Sequence, residues 1–332
     1  MLIDEGKVKI DVPENYFLKG PGRHMPGFYN ADQRLNRDVT VSFIRLVKPR
    51  LALDAFGGTG VRGIRINLET GTKTVITEIN KKSFNYIEKN IEENNADAEA
   101  YNTSFECIID RYLFDYIDID PYGSIVPYID KAISRIKNHG YIGVTATDLT
   151  ALTGSNPNKL KRRYNAFALN DSFKHETGIR ILIAFFVRHA AAMDKGAFPL
   201  ISLWHSHYYR IFFKIENGSS NADKSLSMLG YYNKNKGISE YYNDISEGEM
   251  WLGDINKYAS MIDYKIERIQ HDDESLYFID LKDLSKFKKS DQISVKRALN
   301  ILDKNGIKAY RTQFSYTGLK VKDKKSALML IV

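Results

Sequence analysis

Leu51-Ala-Leu-Asp-Ala-Phe-Gly-Gly-Thr-Gly-Val-Arg-Gly-Ile-Arg-Ile-Asn-Leu68 opens as a short apolar run, passes Asp54 into a glycine-rich turn, and continues with apolar residues at helical spacing. It reads as strand over 51–56, turn, and helix over 61–68. The same alternation follows downstream: strand 73–77, helix 82–94, a weak strand 98–101, strand 115–119, helix 124–137 and strand 141–147. Alternation of this kind predicts an α/β fold with a doubly wound, Rossmann-like, largely parallel sheet that takes its ligands at the carboxyl ends of the strands. A long helix is expected over 175–193, where Ile179, Leu182, Ile183, Phe186 and Val187 share one face. Runs 200–205 and 208–215, joined by Ser206-His207, are expected to pair antiparallel. Glu216-Asn-Gly-Ser-Ser-Asn-Ala-Asp223 carries the strongest linker composition, so the boundary is placed between a domain over 1–218 and a smaller mixed α+β C-terminal domain over 219–332.

The glycine turn needs a nucleoside ligand to explain it. Glycines let the backbone approach the ligand, and the following helix presents its amide dipole. Two cofactors compete. Gly58-Thr-Gly-Val-Arg-Gly63 satisfies the dinucleotide fingerprint, with Glu78 placed 20 residues past Gly58 for ribose hydroxyls. S-adenosylmethionine is favoured by Asp54, whose charge suits an ammonium and would repel a pyrophosphate, and by Arg62 and Arg37, which could pair a carboxylate.

Asp118-Ile-Asp-Pro-Tyr-Gly123 ends a second apolar strand. An exocyclic base amine is a poor nucleophile because its lone pair is delocalised into the ring. The Asp120 carboxylate and the Pro121 carbonyl can each accept one N–H and free that pair, while Tyr122 and Phe28 would sandwich a base taken out of its helix. Asp118 would instead hold the loop. The same residues also make a common turn, in which Asp120 would only cap the helix from Ser124.

Charge is unevenly placed. The chain of 332 residues carries a net +7, and residues 281–332 hold 13 Lys/Arg against 4 Asp/Glu, so this segment is +9 and the remainder sums to −2. A basic end on a near-neutral body suits a polyanion, though a solvated helical face has the same composition. The single cysteine, Cys107, permits no internal disulfide and no Cys–Cys zinc pair, and the longest apolar run, 181–187, is far short of a membrane span. A reducing, cytoplasmic setting is expected, with no membrane, no metal and a monomeric chain. His175 and Glu176 open a helix and suit capping or packing; His205 and His207 share a strand face without a third ligand.

These residues and their neighbours resemble the archaeal and eukaryotic tRNA (guanine-26-N2)-dimethyltransferase family. The resemblance includes Glu5-Gly-Lys7, Phe28-Tyr-Asn30, Leu35-Asn-Arg-Asp38, the Asp54 and Asp118 loops, Gly143-Val-Thr-Ala-Thr-Asp148, His175-Glu-Thr-Gly-Ile-Arg-Ile-Leu182, His207-Tyr-Tyr-Arg-Ile-Phe212 and Arg311-Thr-Gln-Phe-Ser-Tyr-Thr-Gly-Leu-Lys320, in order and over nearly the full length. It implies a class I methyltransferase sheet, S-adenosylmethionine as donor, and transfer of two methyl groups to N2 of the guanine between the D and anticodon stems of tRNA. By position it implies Arg37, Arg62 and Glu78 as cofactor ligands, Asp120 as catalytic, Phe28 and Tyr122 as the base pocket, and a C-terminal tRNA-binding domain. The segment 1–40 would contribute to both pockets. Glu78 stands where an aspartate is common and Tyr122 where a phenylalanine is frequent; Asn102 is the candidate for the acid usually found near the adenine. A DNA amino-methyltransferase, whose Asp-Pro-Pro-Tyr signature is partly matched, a nicotinamide oxidoreductase and a non-catalytic RNA-binding protein are the other readings.

Overall fold

The computed structural model describes residues 1–14, 29–233 and 246–331. Its centre is a seven-stranded sheet built from β3 (Leu51–Asp54), β4 (Lys73–Thr77), β5 (Ala98–Tyr101), β6 (Phe114–Ile119), β7 (Ile136–Ala146), β8 (Lys195–His205) and β9 (Tyr208–Asn217), in the order β5-β4-β3-β6-β7-β9-β8. Strands β5 to β7 run parallel, and β9 runs antiparallel to both β7 and β8, as the short 206–207 connection predicts. The chain winds outward from β3 to β5 and then returns to place β6 on the other side of β3. That reversal opens a crevice at the carboxyl ends of β3 and β6.

Ahead of the sheet lie a hairpin, β1 (Leu2–Glu5) and β2 (Val8–Asp11), and the helix α1 (Arg34–Val47). Helices α2 (Val61–Thr70) and α3 (Lys81–Asn94) connect the first strands, while α4 (Phe105–Ile108), α5 (Ile129–Arg135), α6 (Leu149–Leu152), α7 (Pro157–Tyr164) and α8 (Lys174–Ala191) complete the layers. The expected helix over 124–137 is shortened at its start. Pro127 lacks an N–H and disfavours helical dihedrals in the residue before it, and the helix begins only at Ile129.

The core does not divide at 218/219. Ser219–Leu226 is a helix, α9, seated against β8, where a Cβ on Gly196 would lie 2.4 Å from the Asn221 carbonyl oxygen. The hairpin β10 (Leu229–Asn233) and β11 (Ser246–Trp251) follows, and Met250, Trp251, Ile255, Tyr277, Phe278 and Phe314 join the main hydrophobic core. A separate small core begins at Ile279. It is formed by the three-stranded sheet β12 (Ile279–Asp280), β14 (Gly318–Val321) and β13 (Ala309–Arg311), with the helices Leu281–Lys288, Val295–Lys304 and Lys324–Ile331. The polar composition of 216–223 marks a surface turn and a helix start within one body; apolar residues further on decide where the cores part.

Candidate active site

The carboxyl ends of β3, β4 and β5 carry one connected set of polar groups. Gly57 N–H donates to the Thr77 carbonyl at 2.9 Å and Gly60 closes the turn onto Gly57 at 2.7 Å in a left-handed conformation (φ 79°) that favours glycine. Glu78 accepts Gly58 N–H on Oε2 at 2.9 Å and Asn80 N–H on Oε1 at 2.8 Å. Asn102 Nδ2 donates to the Glu78 carbonyl at 2.8 Å, which leaves its Oδ1 directed elsewhere. Gly58, Gly60, Glu78 and Asn102 are therefore brought together, beside Ile79, an apolar side chain 72% exposed.

Asp54 lies beneath this row, not on it. Its buried carboxylate accepts Gly63 N–H at 3.0 Å and so caps the first turn of α2. Burial pushes its pKa up to about 7, with Asp118 and Asp120 adding to the rise and Arg62 opposing it. Within the chain Asp54 thus supports the turn through Oδ2.

Arg37 also has an internal partner. Its guanidinium makes a fork with Glu5, both contacts at 2.6 Å, and donates to the Asn30 carbonyl at 3.1 Å, above the Tyr29 ring. Arg62 spans the crevice between the strands. Its Nη1 donates to Asn36 Oδ1 and Thr40 Oγ1, each at 3.0 Å; its Nη2 is ion-paired with Asp120 Oδ2; its Nε lies 3.5 Å from Asp118. Burial works against its charge, but the three aspartates outweigh that and raise its pKa.

Asp118 is fully buried and held by Arg210 of β9, which also donates to Thr145 Oγ1 at 3.1 Å, Thr40 Oγ1 at 2.9 Å and the Tyr116 hydroxyl at 2.9 Å. Burial alone would raise the Asp118 pKa; Arg210 and Arg62 bring it below the usual carboxylate range. Asp118 therefore fixes the loop, as the sequence suggests. The 120–123 turn is pinned from β7: Gly123 N–H donates to Thr147 Oγ1 at 2.8 Å and Thr147 N–H returns a bond to the Gly123 carbonyl at 3.0 Å. Pro121 is buried within it, and Tyr122 stands out at 49% exposure. Phe28 lies outside the described residues.

Asn36, Thr40, Thr145 and Arg210 were not singled out from sequence. Arg210 lies inside the His207–Phe212 motif, and its alternation with apolar Phe212 on a strand is the signal that a buried cation sits there. His175 stacks on Trp204 at 3.8 Å, and Glu176 is fully buried against Lys320 and Arg180. Among the described residues no group of three or more His, Cys, Asp or Glu side chains is placed to hold a metal, and no helix is long and apolar enough to cross a membrane.

The arrangement offers a cradle for a nucleoside with a charged tail, two arginines at one end, and a carboxylate beside a proline carbonyl facing it. A family model described as N2,N2-dimethylguanosine tRNA methyltransferase matches residues 6–272. Two curated relatives named tRNA (guanine(26)-N(2))-dimethyltransferase come from Thermoplasma volcanium, at 46% identity over 96% of this chain and 95% of that protein, and Thermoplasma acidophilum, at 42% over 96% and 94%. A solved structure described as Trm1 from Pyrococcus horikoshii in complex with S-adenosyl-L-methionine superposes with a TM-score of 0.85 and 27% identity, covering 99% of this chain and 98% of that one. The dinucleotide reading of the glycine turn falls with these matches, and the chain belongs to the N2,N2-dimethylguanosine tRNA methyltransferase family.

Proposed function

We propose that the chain transfers two methyl groups in succession from S-adenosylmethionine to N2 of guanine 26 in tRNA. The observation that carries this is Asp120-Pro121 pinned at the tip of β6, beside the glycine turn, with Arg62 lying across both. S-adenosylmethionine supplies an electrophilic methyl group on a sulfonium sulfur. Glu78 has lone pairs left that would take the ribose hydroxyls, Asn102 Oδ1 would accept an adenine amino proton, and Arg37 and Arg62 would hold the methionine carboxylate.

Arg62 holds Asp120 by Oδ2, which leaves Oδ1 to accept one N–H of the target amine while the Pro121 carbonyl accepts the other. The nitrogen's lone pair would then be aimed at the methyl group; as the C–N bond forms, the methyl C–S bond breaks, its electron pair stays on sulfur in the departing neutral thioether, and Asp120 would take the proton released from nitrogen. Tyr122 would stack on the extruded base. Exposed Lys282, Lys286, Lys288, Lys289, Lys296 and Arg297 offer charge to the tRNA backbone. Asp120, Arg62 and the glycine turn come from one chain, so a single copy forms the catalytic unit, working in the cytoplasm where tRNA is matured.

Unmodified tRNA incubated with labelled S-adenosylmethionine and digested to nucleosides should yield N2,N2-dimethylguanosine at position 26. Asp120→Ala should lower that yield by about 10² or more while cofactor affinity holds. Product at another base or none at all would overturn the reading.

A further inference from the structure

Tyr208 is a fully buried residue whose hydroxyl has no hydrogen-bond partner among the described residues. A buried, unpaired hydroxyl is costly and rare in a settled core, and it points to a partner that the chain itself does not supply. Its place in the fold says where that partner would lie. Along β9, Tyr208, Arg210 and Phe212 project to one face of the sheet; Arg210 reaches Thr40 of α1, and the Phe212 ring packs 4.4 Å from that of Phe43, also of α1. The β7–β9 register ends with Ala146 opposite Tyr209, so the next step sets Tyr208 beside Thr147, the residue that pins Gly123. Tyr208 thus stands at the strand tips, on the face that carries Asp118 and Arg62. The charges of Asp120, Arg210, Arg62 and Arg37 all act on its phenol, and burial, then Asp120, push its pKa up, so it remains an O–H donor.

We propose that Tyr208 is a base-recognition residue of this site, its hydroxyl donating a hydrogen bond to N3, the unprotonated ring nitrogen next to the carbon that bears the target amine. The inference rests on the methyl-transfer reading above and adds a determinant of which base is accepted. Asp120 and the Pro121 carbonyl both accept hydrogen bonds, so neither can recognise an acceptor atom on the purine. A neutral phenol can. A base lacking that ring nitrogen would leave the hydroxyl unpaired and be disfavoured.

The test compares the parent enzyme with Tyr208→Phe on tRNA carrying guanosine or 3-deazaguanosine at position 26, with cofactor affinity by calorimetry and thermal melting measured alongside. The expected result is a tenfold or larger fall in kcat/KM for Tyr208→Phe on ordinary tRNA, a similar fall for the parent on the deaza substrate, and no further fall when the two are combined. Cofactor Kd should stay within twofold, and Tm should not drop, because the removed hydroxyl bonds nothing in the fold. Unchanged kcat/KM in the variant overturns the proposal while leaving the methyl-transfer reading intact. So does a loss matched by weaker cofactor binding or by a lowered Tm. A parent that makes no dimethylguanosine overturns both.

Discussion

Glu5 shows how single buried charges set this site. It lies 32 residues from Arg37 and 60 from Arg65, and both arginines close on it, with the Tyr29 hydroxyl at 2.6 Å. Burial would raise its pKa, but the Arg37 fork and charge, Tyr29 and Arg65 outweigh that and bring it down to about 2. A depressed carboxylate pKa contributes stability that is complete above about pH 5 and lost as pH falls toward 2. Urea titrations between pH 6 and pH 3 should show the parent losing about 2 kcal/mol more than Glu5→Gln. Equal slopes would mean that Glu5 is not held ionised. At this scale the sequence made the motif residues legible and their partners not. Asp120 and Glu78 stand in recognisable loops, whereas Arg210 meets Asp118 across 92 residues of chain through a strand pairing that no local pattern encodes. Arg37 and Asp54 carry charges that suit a ligand, and each also has a partner within the chain that no local pattern announces.

Among the elements, the glycine turn depends on how closely α2 lies on β4. A Cβ added to Gly63 would fall 2.6 Å from both Cγ1 and Cδ1 of Ile76, in a helix position whose N–H is bonded to Asp54. Gly63→Ala should cost about 1–3 kcal/mol by overpacking and loosen the turn. A double variant with Ile76→Val should recover part of that, measured by denaturation and cofactor calorimetry; additive losses would place the strain elsewhere. Strand and helix order was readable because apolar periodicity is local, and β4 and β5 occupy the residues expected. The start of α5 was not, since Pro127 interrupts a run whose apolar spacing alone reads as continuous helix.

Over the whole molecule, the C-terminal unit is locked to the catalytic sheet by a buried ion cluster. Lys320 of β14 donates to both Glu176 oxygens of α8 at 2.9 Å, Arg180 donates to Glu176 Oε1, Tyr277 N–H bonds the same oxygen, and Lys324 donates to the Leu276 carbonyl. Lys320→Met leaves Glu176 half-compensated in the core and should destabilise by about 3–5 kcal/mol. Limited proteolysis should then cut preferentially after residue 278, and unchanged resistance would mean that apolar contacts alone hold the unit. The cluster also corrects the charge count: Lys320 and Lys324 are buried, so two of the 13 cations in 281–332 serve the fold and offer nothing to a polyanion. Composition showed where the charge lay along the chain, but burial decides which of it reaches solvent.

The central claim is that a purine's exocyclic nitrogen is held at the tip of β6, facing a donor cradled by the first turn. A crystal structure with S-adenosylmethionine bound tests it most directly. The account predicts the transferable methyl carbon within about 6 Å of the Asp120 carboxylate, room for one amine nitrogen between them. A methyl carbon directed away from Asp120 and Pro121 would contradict it.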